Sequence, residues 1–148
     1  MKKQALITGA TSGIGRATAL RLAAEGYDIT ATGRRAERLE TLRREIEAAG
    51  GRCTALVFDV RSEAEVRKFL SPLERVDLLI NNAGLAAGLE HIDQGDTADW
   101  DAMIDTNVKG LLYVTRVVTP KMVAAGGGHV FNIGSIAGTE AYENGAVY

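Results

Sequence analysis

With Cys53 as its only cysteine, the 148-residue chain cannot form an internal disulfide, which suits a reducing, cytoplasmic compartment. Only His91 and His129 join that thiol as soft metal ligands, and they have no paired spacing, so no structural metal is expected. No apolar run approaches the ~20 residues that a spanning helix needs. The stretch after Lys2 and Lys3 is too short for a signal peptide, so no membrane partner is expected. Charge of one sign is also missing: 17 Lys and Arg face 19 Asp and Glu, for a net charge of −2. Such a balance gives no overall positive field to recruit nucleic acid. The sequence shows no internal repeat, low-complexity tract or interdomain linker, and its length fits one domain burying ~70% of its unfolded surface.

Glycine is abundant, at 17 residues, and clusters at turns. The most telling cluster lies in LITGATSGIG, Leu6 to Gly15, where an apolar run from Ala5 to Ile7 ends at Thr8 and Gly9, Gly13 and Gly15 precede an amphipathic segment. Strand, glycine turn and helix in that order let backbone N–H groups approach an anion directly at a helix N-terminus. A dinucleotide phosphate is the expected ligand. The spacing differs from the common GxGxxG fingerprint, and a tight turn without a ligand is the bland alternative.

Further along, Ile14, Ala17, Leu22 and Ala23 share a helix face over Ile14 to Glu25, with Gly26 as its stop. A second strand follows at Ile29 to Gly33, then a helix with Leu39, Leu42 and Ile46 on one stripe. A third strand is expected at Thr54 to Phe58. Ser62 and Glu65 form a candidate capping box for a helix carrying Val66, Phe69 and Leu70. Val76 to Ile80 is a nearly all-apolar fourth strand. A long helix is expected from Trp100 to Val123, with Pro120 kinking or breaking it near its end. A fifth strand falls at Val130 to Ile133. Continuous apolar strands alternating with helices predict an α/β fold of the Rossmann, doubly wound parallel-sheet type, apparently truncated after the fifth strand. In the long helix Val108, Leu111, Leu112, Val114, Val117 and Val118 cover more than one face. Contact with another subunit, as a homo-oligomer, or burial within a larger domain would each use the surplus.

A cofactor preference can be read after the second strand. An NAD site wants a carboxylate there for the ribose 2′-OH, but Ile29 to Ala36 contains no Asp or Glu and instead carries Arg34 and Arg35. A guanidinium pairing with a 2′-phosphate contributes ~1.5–3 kcal/mol, roughly ten- to hundredfold in affinity. NADP is therefore expected. The alternative is that these arginines, with Arg38, Arg43 and Arg44, form a solvated helix face or a weak nucleic-acid patch, although intervening glutamates break up the field.

Taken together, TGATSGIG at Thr8 to Gly15, NNAG at Asn81 to Gly84, Asn107, and Ser135 placed 13 positions before Tyr148 resemble the short-chain dehydrogenase/reductase family. Within it, NNAGLAAG followed by DWDAMIDTNVKGLLYVTRVVTP resembles the branch of NADP-dependent 3-hydroxy acid dehydrogenases. The resemblance implies hydride exchange between nicotinamide and an alcohol or carbonyl, with 3-oxoacyl-carrier-protein reduction as the neighbouring alternative. It implies that Gly9, Ala10, Thr11, Ser12, Gly13, Ile14 and Gly15 hold the phosphates. Asp59 and Val60 would flank the adenine, and Asn82, Ala83 and Gly84 would line the cofactor. Tyr148 becomes the proton donor or acceptor, Ser135 the hydrogen-bond partner of the substrate oxygen, and Asn107 the support of a water relay. Taken alone, Asp59 would read as a strand-end cap and Asn81 with Asn82 as a turn. Tyr142, a rival phenol, and His91 are candidate pocket residues or plain loop residues. His129, Trp100 and Cys53 read as structural.

A free phenol titrates near ~10, so about one in a thousand is ionised at neutral pH. The family lowers it with a lysine four residues beyond the tyrosine, a position this sequence does not contain. Residues 1–148 are therefore expected to be the N-terminal part of a longer NADP-binding domain. A nucleotide-binding module without turnover is the alternative.

Overall fold

The computed structural model describes residues 2–148. Five strands alternate with helices: β1 Gln4–Ile7, α1 Gly13–Ala24, β2 Asp28–Gly33, α2 Ala36–Ala48, β3 Cys53–Val57, α3 Glu63–Leu70 and β4 Leu78–Asn81. The chain continues through α4 Thr97–Met103, a π-helical segment Ile104–Gly110, α5 Leu111–Ala124, β5 His129–Asn132 and a short 3₁₀ turn Ile136–Gly138. All strand pairings are parallel and the sheet order is β3-β2-β1-β4-β5. This is a Rossmann-type doubly wound sheet, with β1 central and the switch of winding direction between β1 and β4.

Side chains alternate across β1 and define two apolar cores. Ala5 and Ile7 pack with Ile29, Leu39, Leu42 and Ile46 on the α1–α2 face. Leu6 packs on the opposite face with Leu79, Val66, Leu70, Val114 and Val118. Phe58 and Phe69 stack at 5.4 Å between ring centroids on that second face. The sheet centre is dry on both sides, as expected for parallel strands flanked by helices, whereas β5 is a half-buried to exposed edge.

Several local expectations shift. The fourth strand begins at Leu78, which pairs with Ala5, so Val76 is buried without joining the ladder. Asp77 supplies the entry instead: its carboxylate accepts from the Gln4 N–H at 2.7 Å, and its own N–H donates to the Gln4 carbonyl. Of the capping box only half forms. Ser62 Oγ accepts from Glu65 N–H at 3.2 Å, while the Glu65 carboxylate accepts from Asp59 N–H at 2.9 Å. Pro120 does not end the long helix, which runs on to Ala124. Its irregularity lies a few turns earlier, in the π-helical Ile104–Gly110. No helix among the described residues is long and apolar enough to cross a membrane.

Candidate functional site

The carboxyl ends of β1 and β4 are tied together by one threonine. Thr8 Oγ1 accepts from the N–H groups of Asn82 and Ala83, each at 3.0 Å, and donates to the Ile80 carbonyl at 3.4 Å. Asn82 answers through its amide, donating to the carbonyls of Thr8 at 2.9 Å and Gly9 at 3.2 Å. The two loops lie so close that a Cβ on Gly9 would meet Ala83 Cα at 2.9 Å, and Gly9 has a φ of +67°. Only glycine meets both demands without strain.

This junction floors a cleft of about 560 Å³. Gly9, Thr11, Ser12, Gly13, Ile14, Arg34, Arg35, Asp59, Val60, Asn82, Ala83 and Gly84 line it, with Gly33, Phe58, Leu85 and Thr106. Two residues expected there do not line it. Ala10 is fully buried, its N–H bonded to the Thr32 carbonyl at 2.9 Å. Gly15 faces the floor, where a Cβ would come within 2.6 Å of the Gly9 carbonyl oxygen, so its role is to let helix and turn close up.

The electrostatics of the cleft suit a phosphorylated ligand. Helix α1 opens on Ser12 with no side-chain capping bond and no acidic residue in its first turn, leaving its N-terminal dipole directed at the cleft. Arg34 and Arg35 add two positive charges at the far end of β2. Burial alone would raise the Asp59 carboxyl, but hydrogen bonds from the Arg61 side chain and backbone, with the charges of Arg61 and Arg34, hold it below the ordinary carboxylate range. Glycine cradle, open helix terminus and paired guanidiniums fit a dinucleotide carrying an extra phosphate.

A second cleft of about 310 Å³ adjoins the first and shares Ala83, Gly84 and Leu85 with it. Asn107, Ser135 and Tyr148 all line it. Asn107 stands in the π-helical segment and binds the Leu85 backbone at two points: its Oδ1 accepts from the Leu85 N–H at 2.9 Å, and its Nδ2 donates to the Leu85 carbonyl at 2.8 Å. What the structure shows of this side chain is that it holds the wall between the clefts. Ser135 opens the 3₁₀ turn, its Oγ accepting from the Ala137 N–H at 3.2 Å. Behind them the buried Asn81 donates to Thr115 Oγ1 and to Asn132 Oδ1, each at 2.9 Å, and joins β4, β5 and α5.

The remaining candidates fall outside both clefts. Tyr142 packs against Gly145, and His91 is exposed in the loop after β4. The His129 ring lies 4.5 Å from that of Phe131. Trp100 packs under Gly95, whose added Cβ would be 2.7 Å from the indole. Cys53 is buried, and burial, followed by the charge of Glu47, pushes its thiol up to about 11, which leaves it unreactive as a nucleophile. The sequence places Thr8 at the end of a strand and the start of TGATSGIG, but does not show it as the tie between loops. A hydroxyl at the carboxyl end of the central strand, one position before a glycine, was the available signal.

The fold defines an α/β domain of the dinucleotide-binding type, with a second, smaller cleft beside the first. The chain belongs to the short chain dehydrogenase family, whose sequence profile matches residues 3–148. It is 45% identical over 147 residues to the NADP-dependent 3-hydroxy acid dehydrogenase YdfG of Salmonella typhi, covering 97% of this chain and 58% of that protein. It is 46% identical over 148 residues to sulfoacetaldehyde reductase 2 of Chromohalobacter salexigens, with the same coverage. Among solved structures, the closed form of serine dehydrogenase complexed with NADP+ superposes with a TM-score of 0.92 at 44% identity, over 98% of this chain and 59% of that one. The chain therefore spans 58% of the length of the curated relatives it matches.

Proposed function

We propose that the protein to which these residues belong is an NADP-dependent oxidoreductase that interconverts an alcohol and a carbonyl, with a small 3-hydroxy acid as substrate. The observation that carries this reading is the meeting of two clefts at Ala83 to Leu85, one built from the glycine turn and two arginines, the other from Asn107, Ser135 and Tyr148. The names of the relatives point the same way. When bound, the nicotinamide supplies or accepts the hydride. Ser135 Oγ hydrogen-bonds the substrate oxygen, and the Tyr148 phenol takes or gives the proton at that oxygen. Asn107 fixes the Leu85 backbone, the wall shared by cofactor and substrate. Arg34 reads the 2′-phosphate.

The full-length protein tests this directly. NADP+ reduction is expected with serine-like 3-hydroxy acids and not NADPH oxidation with an acetoacetyl thioester; the reverse preference identifies an acyl-carrier reductase instead. Tyr148→Phe should abolish turnover while leaving NADP binding intact. Arg34→Ala should weaken NADP binding roughly ten- to hundredfold with NAD binding unchanged. Unaltered NADP affinity in that variant removes the cofactor assignment.

The reading extends to a cytoplasmic homo-oligomer. The buried, unbridged Cys53 suits a reducing compartment. Leu112 and Val123 leave apolar side chains exposed on α5, Leu112 by 56%, whereas the exposed Ile104 and Val108 of the preceding π-helical segment line the second cleft. Sedimentation velocity at micromolar concentration should report a dimer or tetramer, and a monomer removes the oligomer.

A further inference from the structure

Arg34 and Arg35 are neighbours in sequence, yet the fold uses them differently. The Arg34 side chain is 61% exposed, and its contact with Asp59 is loose at 3.7 Å because that carboxylate is already paired with Arg61 at 2.7 Å. Arg35, also exposed, lies across the glycine turn. Its Nε donates to Thr11 Oγ1 at 3.1 Å, and its Nη2 donates to the same oxygen and to Ser12 Oγ at 2.8 Å. Thr11 is 93% buried, at 7% exposure. It is seated on Gly33, where a Cβ would come within 2.6 Å of Thr11 Cγ2. The methyl is thereby fixed against β2 and the hydroxyl meets the guanidinium.

Ser12 completes the arrangement. It precedes the first turn of α1 in extended conformation, the place where a serine normally caps a helix through its oxygen. Here it makes no capping bond, and its oxygen instead receives the Arg35 donor. The amides of the first turn are thus not satisfied by Ser12 and remain available to an anion.

We propose that Arg35 is a positioning residue of the glycine turn, holding the Thr11 and Ser12 hydroxyls so that the α1 amides face the pyrophosphate, and that Arg34 alone discriminates for the 2′-phosphate. This rests on the NADP reading above and divides between two roles what the sequence assigned to both arginines. A planar guanidinium can grip two hydroxyls at once, whereas an ammonium is a point charge on a flexible stem and cannot reproduce the fork. Charge and geometry can therefore be separated by substitution.

The test is equilibrium binding of NADPH, NADH and adenosine 2′,5′-bisphosphate to the full-length protein and its variants. Arg35→Ala and Arg35→Lys should each weaken NADPH and NADH by the same factor, about tenfold or more. Thr11→Val should do likewise, and should add little in the Arg35→Ala background because both changes remove the same bond. Arg34→Ala should weaken NADPH and the bisphosphate while sparing NADH. If Arg35→Ala does not fold, Arg35→Lys and Thr11→Val carry the comparison. Selective loss of NADPH in Arg35→Ala, restored by Arg35→Lys, would overturn the proposal and make Arg35 a second reader of phosphate charge. A wild-type protein that binds neither dinucleotide overturns the NADP reading itself, which is a distinct result from selective loss.

Discussion

Asp77 shows how much one side chain contributes to this sheet. It is 13% exposed, accepts from the Gln4 N–H and pairs with Arg75 at 2.6 Å. Burial alone would raise its carboxyl, but the Arg75 hydrogen bond, the Gln4 N–H and the charges of Arg75 and Lys3 outweigh that and hold it below the ordinary value. A carboxyl lowered by folding stabilises the native state fully above its unfolded pKa of ~3.9. That contribution disappears as pH falls through the still lower native value. Stability should therefore be level in this respect above about pH 5 and decline below ~4. Asp77→Asn should cost on the order of 1 kcal/mol at neutral pH, discounted for the partly exposed Arg75, and should flatten the acid limb in urea titrations at successive pH values. An unchanged acid limb assigns the decline to other carboxylates. Arg35 teaches a different lesson at the same scale. Composition reveals that a guanidinium is present after β2, but its direction depends on where Thr11 and Ser12 lie across the turn, and no spacing rule encodes that.

Elements were legible in proportion to their periodicity. β1 and β4 announce themselves as largely apolar runs because both of their faces are covered, whereas the stripe Leu39, Leu42, Ile46 marks α2 because only one of its faces is buried. Val76 misled the reading of β4, since burial and ladder pairing part company at that residue. The π-helical stretch was invisible because an apolar pattern of period 3.6 tolerates one extra residue without visible disruption. That stretch holds Asn107, which is where such segments often serve function. The glycine turn offers a sharper element-scale test. Gly9 and Gly13 both have positive φ, +67° and +53°, but only Gly9 has a neighbour in the way; nothing lies within 4 Å of a Cβ at Gly13. Alanine at Gly13 should cost only the conformational penalty, ~1–2 kcal/mol. Gly9→Ala should cost distinctly more and also impair dinucleotide binding, because the Asn82–Ala83 backbone must retreat. Equal losses in chemical denaturation would mean that the close approach contributes nothing.

Across the whole molecule, strand order predicts where chemistry sits. β1 is flanked by β2 and β4, which belong to the two oppositely wound halves, and both clefts open at the carboxyl ends beside that switch. The sequence indicated this layout because glycine turn, arginine pair, Asn81 to Gly84 and Ser135 each follow a segment that reads as a strand. It did not show that Ala83 to Leu85 form a wall common to both clefts, since a shared surface depends on packing between loops remote in sequence.

The Thr8 tie has a thermodynamic consequence. The hydroxyl joins the glycine turn to the residues after β4, so any ligand seated on that turn acts on the same seam that closes the sheet. Ligand concentration then becomes a stability variable. At a hundredfold excess of free NADPH over its Kd, linkage adds about 2.7 kcal/mol to the bound state. The increment should be uneven along the chain. Amide hydrogen exchange should slow most at Thr8, Asn82 and Ala83 when NADPH is added, and least along the exposed edge strand β5. Uniform protection would indicate that the seam opens only when the entire domain unfolds.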